Sequence, residues 1–319
     1  MSYANPPQGR NISPHKLINK ELIGEGSFGK VYKATWLAMD ADGDEVEEIV
    51  AIKVMKNATR AQVLQERNRM TGLYHENVVR LRGMVQKDPC PWLVMEYVEN
   101  GDLHTNILEW RQDGDTLLRI SWHIAKGMKY LHTKGIIHGD LAARNVLLGE
   151  NDVAKIGDLG YYDAQNSSDY YNYYGGGMPC PIRWMSPENL PYWSSERGLI
   201  EQSVKKSYEG DVWAFGVVLF ELWSRGELPF AGYSNTEVCS FVLSKKKPTH
   251  FFKVHMRQHM RGLMHSCWQF DPNKRPKFYR IVQHFERIVG FEPEEDDSDE
   301  DEGSDSASCY SSSSETDYY

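Results

Sequence analysis

The sequence has few cysteines and no long hydrophobic run, and both absences exclude classes of protein. Its five cysteines are odd in number and form no Cys-x-x-Cys pair, which excludes a disulfide framework and a zinc site of the usual spacing. The longest uninterrupted apolar run is Val212–Phe220, nine residues, whereas a membrane-spanning helix needs about 20. We therefore expect a chain without a membrane span that works in a reducing, cytoplasmic setting.

Basic residues are absent from the end of the chain. Residues 292–319 contain twelve Asp and Glu residues and no Lys or Arg, so the rest of the chain has 33 acidic and 36 basic residues. The overall charge of −9 therefore comes from the tail, and the small positive balance of the body gives no argument for nucleic-acid binding. The tail, residues 291–319, has too few apolar residues to fold and is predicted to be disordered.

The remaining residue patterns divide the chain into two parts. Residues 18–98 contain short strand-like runs and one helical segment, Ala61–Gly72, whereas residues 99–290 are mainly helical. Val212–Trp223 is apolar on all sides, which indicates a helix inside a lobe. Further strands and helices are predicted at Ile49–Met55, Thr116–Thr133, Asn235–Ser244 and Phe278–Val289. A β-rich part followed by an α-rich part predicts an α+β fold of two lobes with a cleft between them, after a flexible lead-in over residues 1–17.

One octapeptide carries the strongest signal for chemistry. His138–Asn145 reads His-Gly-Asp-Leu-Ala-Ala-Arg-Asn, which supplies a carboxylate at Asp140, a cation at Arg144 and a carboxamide at Asn145. Phosphoryl transfer needs an acceptor for the proton of the nucleophile, positive charge near the migrating group and a metal ligand. We predict that Asp140 accepts the proton and that Asn145 binds a metal ion.

A glycine-rich turn lies near the start of the β-rich part. Gly24–Gly29 reads Gly-Glu-Gly-Ser-Phe-Gly, and glycines let backbone amides approach phosphate oxygens closely. A dinucleotide site would require a helix after this turn, but the residues from Val31 onward are typical of a strand. The pattern favours a phosphate-covering loop between two strands, and a plain hairpin turn is the alternative.

Three charged residues complete the predicted site. Lys53 lies in an apolar strand, where an ammonium group needs a partner or must reach solvent. Glu66, on the helix that follows, is the expected partner, and the pair would direct the ammonium at the phosphates of a nucleotide. Asp158, in Lys155-Ile-Gly-Asp-Leu-Gly160, is the second predicted metal ligand. For each carboxylate alone, a solvated surface position is the alternative.

Three further residues have predicted structural roles. Glu188, at the end of Pro181-Ile-Arg-Trp-Met-Ser-Pro-Glu188, is expected to form a buried salt bridge with Arg275. Asp211 opens the apolar helix, where we expect it to cap the helix and to brace the loop that carries Asp140.

With these motifs in order, the chain from about Leu17 to Val289 resembles the catalytic domain of protein tyrosine kinases, specifically the receptor type related to growth-factor receptors. Asp140-Leu-Ala-Ala-Arg-Asn145 and Pro181–Glu188 both have the tyrosine-kinase form. The resemblance implies the bilobal protein kinase fold, with a small β-rich lobe containing one helix and a larger α-rich lobe. It also implies ATP and Mg²⁺ as cofactors and transfer of the ATP γ-phosphate to tyrosine residues of proteins.

The resemblance also assigns individual residues. Asp140, Arg144, Lys53 and Glu66 would be catalytic, and Asn145 and Asp158 would hold the metal. Met95 would be the gatekeeper of the nucleotide site, and Glu96 to Val98 the hinge that hydrogen-bonds adenine. The predicted nucleotide contacts are Ile23, Gly24, Glu25, Gly26, Ser27, Phe28, Gly29, Val31, Ala51, Lys53, Met95, Glu96, Val98 and Leu147.

Position 139 departs from the family pattern, because Gly139 stands where an arginine is usual. In the family, that arginine pairs with a phosphate on the activation loop. Here the candidate phosphorylation sites are Tyr170, Tyr171, Tyr173 and Tyr174. We expect that phosphorylation there controls activity weakly or recruits partners. The alternative is that another basic residue, such as Lys155, Arg60 or Arg67, replaces the arginine.

Two other functions remain open at this stage. Gly139 gives some support to a pseudokinase scaffold that binds nucleotide or partners without turnover, whereas Arg144 and Pro181 argue against serine/threonine specificity. Expected partners are protein substrates presenting tyrosine, SH2-domain proteins that would bind phosphorylated Tyr310, Tyr318 or Tyr319, and a second copy of the chain for trans-phosphorylation. A solubilising acidic tail is the alternative to SH2 docking.

Overall fold

The computed structural model describes residues 10–26, 29–40, 42–56, 58–109, 113–159, 181–190, 206–250 and 256–289. These residues form a sheet-containing lobe followed by a helical lobe. The prediction of an α+β fold with two lobes is therefore confirmed. The predicted disordered tail lies outside the described residues.

The first lobe is built on one six-stranded sheet. Its strands are β1 (Arg10–Asn11), β2 (Leu17–Gly26), β3 (Gly29–Met39), β4 (Glu45–Met55), β5 (Leu81–Val85) and β6 (Trp92–Glu96). The spatial order is β1-β5-β6-β4-β3-β2, and every neighbouring pair is antiparallel except β1 with β5. Alternate residues such as Val50 and Ile52 are buried on one face of β4, as expected for a sheet covered on that face.

The start of the chain differs from the expected flexible lead-in. Arg10 and Asn11 pair in parallel with β5, and the side chains of Ile12 and Leu17 are buried in a cluster that includes Trp36. From residue 10 onward this segment therefore packs against the sheet, because two apolar side chains among polar neighbours are enough to anchor it. Residues 1–9 lie outside the described residues.

Seven helices follow in the described ranges. They are α1 (Arg60–Met70), α2 (Leu103–Glu109), α3 (Gly114–Thr133), α4 (Tyr208–Trp223), α5 (Asn235–Leu243), α6 (Gln258–Cys267) and α7 (Phe278–Val289). The helix α1 belongs to the first lobe and begins with a capping box, in which Thr59 and Gln62 exchange side-chain and backbone hydrogen bonds. No helix in these ranges is long and apolar enough to cross a membrane.

The helix α4 forms the centre of the second lobe. Thirteen of its sixteen residues are buried, including Trp213, Phe215 and Phe220. The predicted capping role of Asp211 is wrong, because Ser207 is the N-cap and accepts the hydrogen bond from Gly210 N. Ser207 precedes the first helical turn, where unpaired amides need an acceptor.

A short two-stranded sheet follows α3 in the chain. It consists of β7 (Val146–Leu148) and β8 (Ala154–Ile156), which pair in antiparallel register with Val146 opposite Ile156. Three-residue strands are too short to give a period-2 pattern, so the sequence did not predict them. Their pairing fixes the position of the residues at both ends, which include the two predicted metal ligands.

Candidate active site

The loop after α3 holds the carboxylate of Asp140 from two directions. Arg144 Nη2 donates to Asp140 Oδ1 at 2.5 Å, and Asn145 Nδ2 donates to Oδ2 at 3.0 Å and to the Asp140 backbone oxygen at 2.7 Å. Both donors lie in or next to a turn of 3₁₀ helix, Ala143–Asn145, which brings residues four and five positions after Asp140 back towards it. The predicted triad of Asp140, Arg144 and Asn145 is therefore assembled in space.

A buried carboxylate from α4 fixes the start of the same loop. Asp211 Oδ2 accepts from His138 N at 2.8 Å, and Oδ1 accepts from Gly139 N at 2.8 Å. His132 Nε2 lies 2.9 Å from Asp211 Oδ2. Since hydrogen bonds to a buried carboxylate are stronger than neutral ones, Asp211 ties the loop to α4, in which thirteen of sixteen residues are buried. The bracing role predicted for Asp211 is present.

Lys53 lies between two carboxylates. Its Nζ is 3.0 Å from Glu66 Oε1 on α1 and 2.8 Å from Asp158 Oδ1, which follows β8. Burial lowers the pKa of the Lys53 ammonium, but Asp158 and Glu66 more than offset this and raise the pKa above its ordinary value. Lys53 is therefore charged at neutral pH. Only 1% of the Glu66 side chain is exposed, and burial raises the pKa of Glu66, with Lys53 acting in the opposite direction.

The predicted metal ligands come together at the ends of the small sheet. Asn145 precedes β7 and Asp158 follows Gly157 after β8, and Gly157 N donates to Asn145 O at 2.8 Å. Asn145 uses Nδ2 as a donor to Asp140, so its amide oxygen is the atom suited to a cation. A carboxylate and an amide oxygen are the hard oxygen ligands that Mg²⁺ prefers. The residues at this place therefore fit a magnesium ion.

A cleft of about 710 Å³ extends from the glycine-rich turn to these acidic residues. This volume is in the range of small-molecule sites. Of the predicted residues, Gly24, Glu25, Gly26, Gly29, Val31, Lys53, Arg144, Asn145 and Asp158 line it. Gly29 has φ +147°, and a Cβ at this position would lie 2.1 Å from Val54 O, so only glycine lets β3 approach β4 here. Ser27 and Phe28 lie outside the described residues.

The predicted adenine contacts occupy the strands and the segment behind the cleft. Ala51 on β4 pairs with Met95 on β6, and Val98 is buried. Glu96 accepts from Arg80 N at 2.8 Å and from Lys155 Nζ at 3.2 Å, so its side chain is engaged by these two donors. The predicted catalytic residues Glu66 and Asp140 do not line the cleft. Of the predicted nucleotide contacts, Ile23, Ala51, Met95, Glu96, Val98 and Leu147 do not line it either. Their role in adenine binding stays a prediction.

Glu221 is a functional candidate that the sequence reasoning missed. Its Oε2 accepts from Ala143 N at 3.0 Å and from Trp184 Nε1 at 2.9 Å, which joins the loop of Asp140 to the segment of Trp184. Burial raises the pKa of Glu221 to about 7, although these two donors act in the opposite direction. The signal in the sequence was the single carboxylate within Val212–Trp223, the otherwise apolar part of α4, where an ionisable residue needs a specific partner.

The predicted salt bridge of Glu188 and Arg275 is present. Arg275 Nη1 and Nη2 donate to the two carboxylate oxygens at 2.5 and 2.8 Å, and the Arg275 side chain is 0% exposed. Burial raises the pKa of Glu188, but the pairing with Arg275 outweighs it and leaves the pKa below its ordinary value. The candidate phosphorylation sites Tyr170, Tyr171, Tyr173 and Tyr174 lie outside the described residues.

Comparison with known proteins agrees with this geometry. Residues 17–285 match the family described as protein tyrosine and serine/threonine kinase. The chain is 34% identical over 275 residues to the insulin receptor of Xenopus laevis, covering 82% of this chain and 19% of the receptor. It is 34% identical over 305 residues to the BDNF/NT-3 growth factors receptor of Gallus gallus, covering 89% of this chain and 35% of that receptor.

The chain thus spans about a fifth to a third of the length of these two relatives. The family match covers both lobes and all the residues predicted to be catalytic or to bind the metal. This chain belongs to the family of protein tyrosine and serine/threonine kinases.

Proposed function

We propose that this protein is an active tyrosine kinase that transfers the γ-phosphate of ATP to tyrosine residues of proteins. The observation that carries the proposal is the Asp140 carboxylate, which Arg144 and Asn145 hold by hydrogen bonds, together with the Lys53–Glu66 pair; Arg144, Asn145 and Lys53 line one cleft. A scaffold without turnover would not require these five side chains to be arranged together. The relatives that match this chain are named as receptors, which supports a role in signalling.

Each residue has a defined task in this proposal. Lys53 is kept charged by two carboxylates and directs its ammonium towards the nucleotide phosphates. Asp140 accepts the proton of the attacking hydroxyl, and Arg144 holds that carboxylate in position. Mg²⁺ bound by Asn145 and Asp158 would neutralise charge on the phosphate oxygens.

The preference for tyrosine rests on the surroundings of Arg144. Its guanidinium lies over the ring of Trp184, 4.4 Å from the centroid. Trp184 lies three residues after Pro181, in the segment Pro181–Glu188 that has the tyrosine-kinase form. This arrangement forms a flat wall beside Asp140, which suits an aromatic acceptor whose hydroxyl is far from its backbone. A serine hydroxyl, one bond from Cβ, would not extend across this wall to Asp140.

The deciding experiment is phosphate transfer from ATP to a tyrosine-containing peptide, followed by phosphoamino-acid analysis. We expect phosphotyrosine with the native chain and a loss of at least about 100-fold in kcat for Asp140→Asn, which removes the proton acceptor but keeps its shape. Equal and negligible transfer by both proteins would instead support the scaffold that binds nucleotide without turnover. Phosphoserine as the product would overturn the proposed specificity.

Two parts of the proposal depend on tyrosines outside the described residues. Weak control by phosphorylation predicts that replacing Tyr170 and Tyr171 by Phe changes kcat by less than about tenfold, and a hundredfold fall would contradict it.

Docking of SH2 domains and self-association for trans-phosphorylation stay predictions, as does a cytoplasmic location. Mass spectrometry that finds the tail tyrosines unmodified in active cells would remove the docking idea.

A further inference from the structure

A lysine from a distant part of the sequence fills the space next to Gly139. Gly139 has φ +76°, a left-handed conformation that favours glycine. A Cβ at this position would lie 2.2 Å from Lys206 Cδ, 2.5 Å from Cε and 2.8 Å from Nζ. The half-buried Lys206 side chain therefore lies directly against the glycine, and a larger residue at position 139 could not coexist with it in this position.

The Lys206 ammonium faces the backbone of the loop that carries Asp140. Its Nζ is 3.5 Å from His138 O, and the neighbouring carbonyl, Ile137 O, accepts from Arg69 Nη2 at 2.5 Å. Arg69 lies in α1, the helix that carries Glu66, and Lys206 immediately precedes Ser207, the N-cap of α4. Two cations from different lobes thus contact consecutive carbonyl groups just before Gly139.

Three carboxylates also act electrostatically on the ammonium. Burial lowers the pKa of Lys206 and Arg69 lowers it further, while Asp140, Asp211 and Asp158 act in the opposite direction. These three carboxylates are the proton acceptor, the brace of the loop and a metal-ligand candidate. The positive charge of Lys206, in addition to those of Lys53 and Arg144, further reduces their mutual repulsion, and it does so in a part of the molecule where screening by water is weak.

We propose that Lys206 is a positioning residue for phosphoryl transfer that takes, in space, the place of the arginine absent at position 139. This inference rests on the proposed kinase function. Lys206 holds the His138–Asp140 turn through its contact with the carbonyl and its charge, and Gly139 leaves room for it. Two of the basic residues named above as possible replacements for the arginine have other partners, since Lys155 pairs with Glu96 at 3.2 Å and Arg60 donates to Gln86 at 2.5 Å.

A double-mutant cycle in the full chain tests the contact without any need for activity. Gly139→Ala, Lys206→Ala and the double variant are compared with the native chain by urea unfolding. The backbone strain of an alanine at φ +76° is present in both backgrounds and cancels in the cycle. We expect Gly139→Ala to lower the unfolding midpoint clearly more when Lys206 is present, because its methyl group then meets the lysine. Equal effects in the two backgrounds would overturn the proposal.

Kinetics test the positioning role. We expect Lys206→Met, which keeps the length but removes the charge, to lower kcat about tenfold with little change in the KM for ATP. Lys206→Arg should restore most of the loss, and Lys277→Met, at an exposed lysine, is the matched control. A kcat for Lys206→Met equal to that of Lys277→Met would overturn the role. If the native chain transfers no phosphate, the kinase function fails, and the unfolding cycle still decides whether the two residues are coupled.

Discussion

Arg144 and Asp140 form an ion pair at 2.5 Å between Nη2 and Oδ1, four residues apart in one turn of chain. Both side chains are mostly buried, with exposed fractions of 19% and 13%. Such a pair is less screened than a surface pair. The position of the Asp140 carboxylate therefore depends on the Arg144 guanidinium together with the Asn145 amide.

Replacement of Arg144 should affect catalysis more than stability. We expect Arg144→Ala to lower kcat/KM for a tyrosine peptide by about 30-fold, equivalent to about 2 kcal/mol. Arg144→Lys should recover only part of this, because an ammonium cannot bind the carboxylate and cover the Trp184 ring with one planar group. Steady-state kinetics at saturating ATP measure the effect, and an unchanged kcat/KM for Arg144→Ala would contradict it.

Replacement of Glu66, the partner of Lys53, should lower activity with little effect on stability. Glu66→Gln keeps the shape of a buried side chain and removes a charge that is costly to bury, so we expect the free energy of unfolding to change by no more than about 1 kcal/mol. The same variant should lower kcat/KM for ATP at least about tenfold, because Lys53 would keep only Asp158 as a negatively charged partner. Glu76→Gln is the control, since Glu76 pairs with Lys126 at the surface. Equal kinetics for the two variants would rule out the role of Glu66.

The raised pKa of Glu221 predicts an unusual pH dependence of stability. The folded value of about 7 lies above the ordinary 4.5, so the folded chain binds more protons than the unfolded chain between these values. The contribution of Glu221 is therefore fully favourable below pH 4.5, falls as the pH rises to about 7 and is constant above that. It amounts to about 3 kcal/mol across this window.

Urea unfolding at several pH values between 5 and 8 measures this contribution. Buried histidines also titrate here, with the opposite sign, because burial lowers the pKa of His123 to about 4 and also lowers the pKa of His138. The difference between the native chain and Glu221→Gln removes their effect. We expect the free energy of unfolding of the native chain to fall relative to that of the glutamine variant as the pH rises. A difference that does not vary with pH would show that Glu221 does not titrate in this range.

The bridge of Glu188 and Arg275 should be a stability determinant without a chemical role. Arg275 is fully buried and would lose its carboxylate partner in Glu188→Ala, for which we expect about 3 kcal/mol of destabilisation. Glu150→Ala, at an exposed residue, should have almost no effect. The pKa of Glu188 is lowered in the folded chain, so the ionised carboxylate contributes fully to the free energy of unfolding above pH 4.5, its ordinary pKa. This stabilisation is lost as the pH falls through the lower folded value. Destabilisation equal to that of Glu150→Ala would contradict the assignment.

The accuracy of the sequence predictions follows from the length of each pattern. Phe278–Val289 was predicted with the bounds that α7 has, because twelve residues give several helical turns of periodicity. The strand predicted at Ile49–Met55 begins earlier, at Glu45, since β4 pairs with β3 as far as Met39. The helix α6 was missed, although Met260, Leu263, Met264 and Cys267 mark its buried face.

The sequence by itself determined the residues that carry the chemistry, because Asp140, Arg144 and Asn145 are close in the chain and a short loop must keep them together. It also indicated the pairs of Lys53 with Glu66 and of Glu188 with Arg275, since buried charges require partners. Only the tertiary structure decided that Glu221 joins the loop to Trp184 and that Lys206 covers Gly139. These contacts join residues 37 to 78 positions apart, and burial and distance at such separations depend on how the helices pack, which no local pattern encodes.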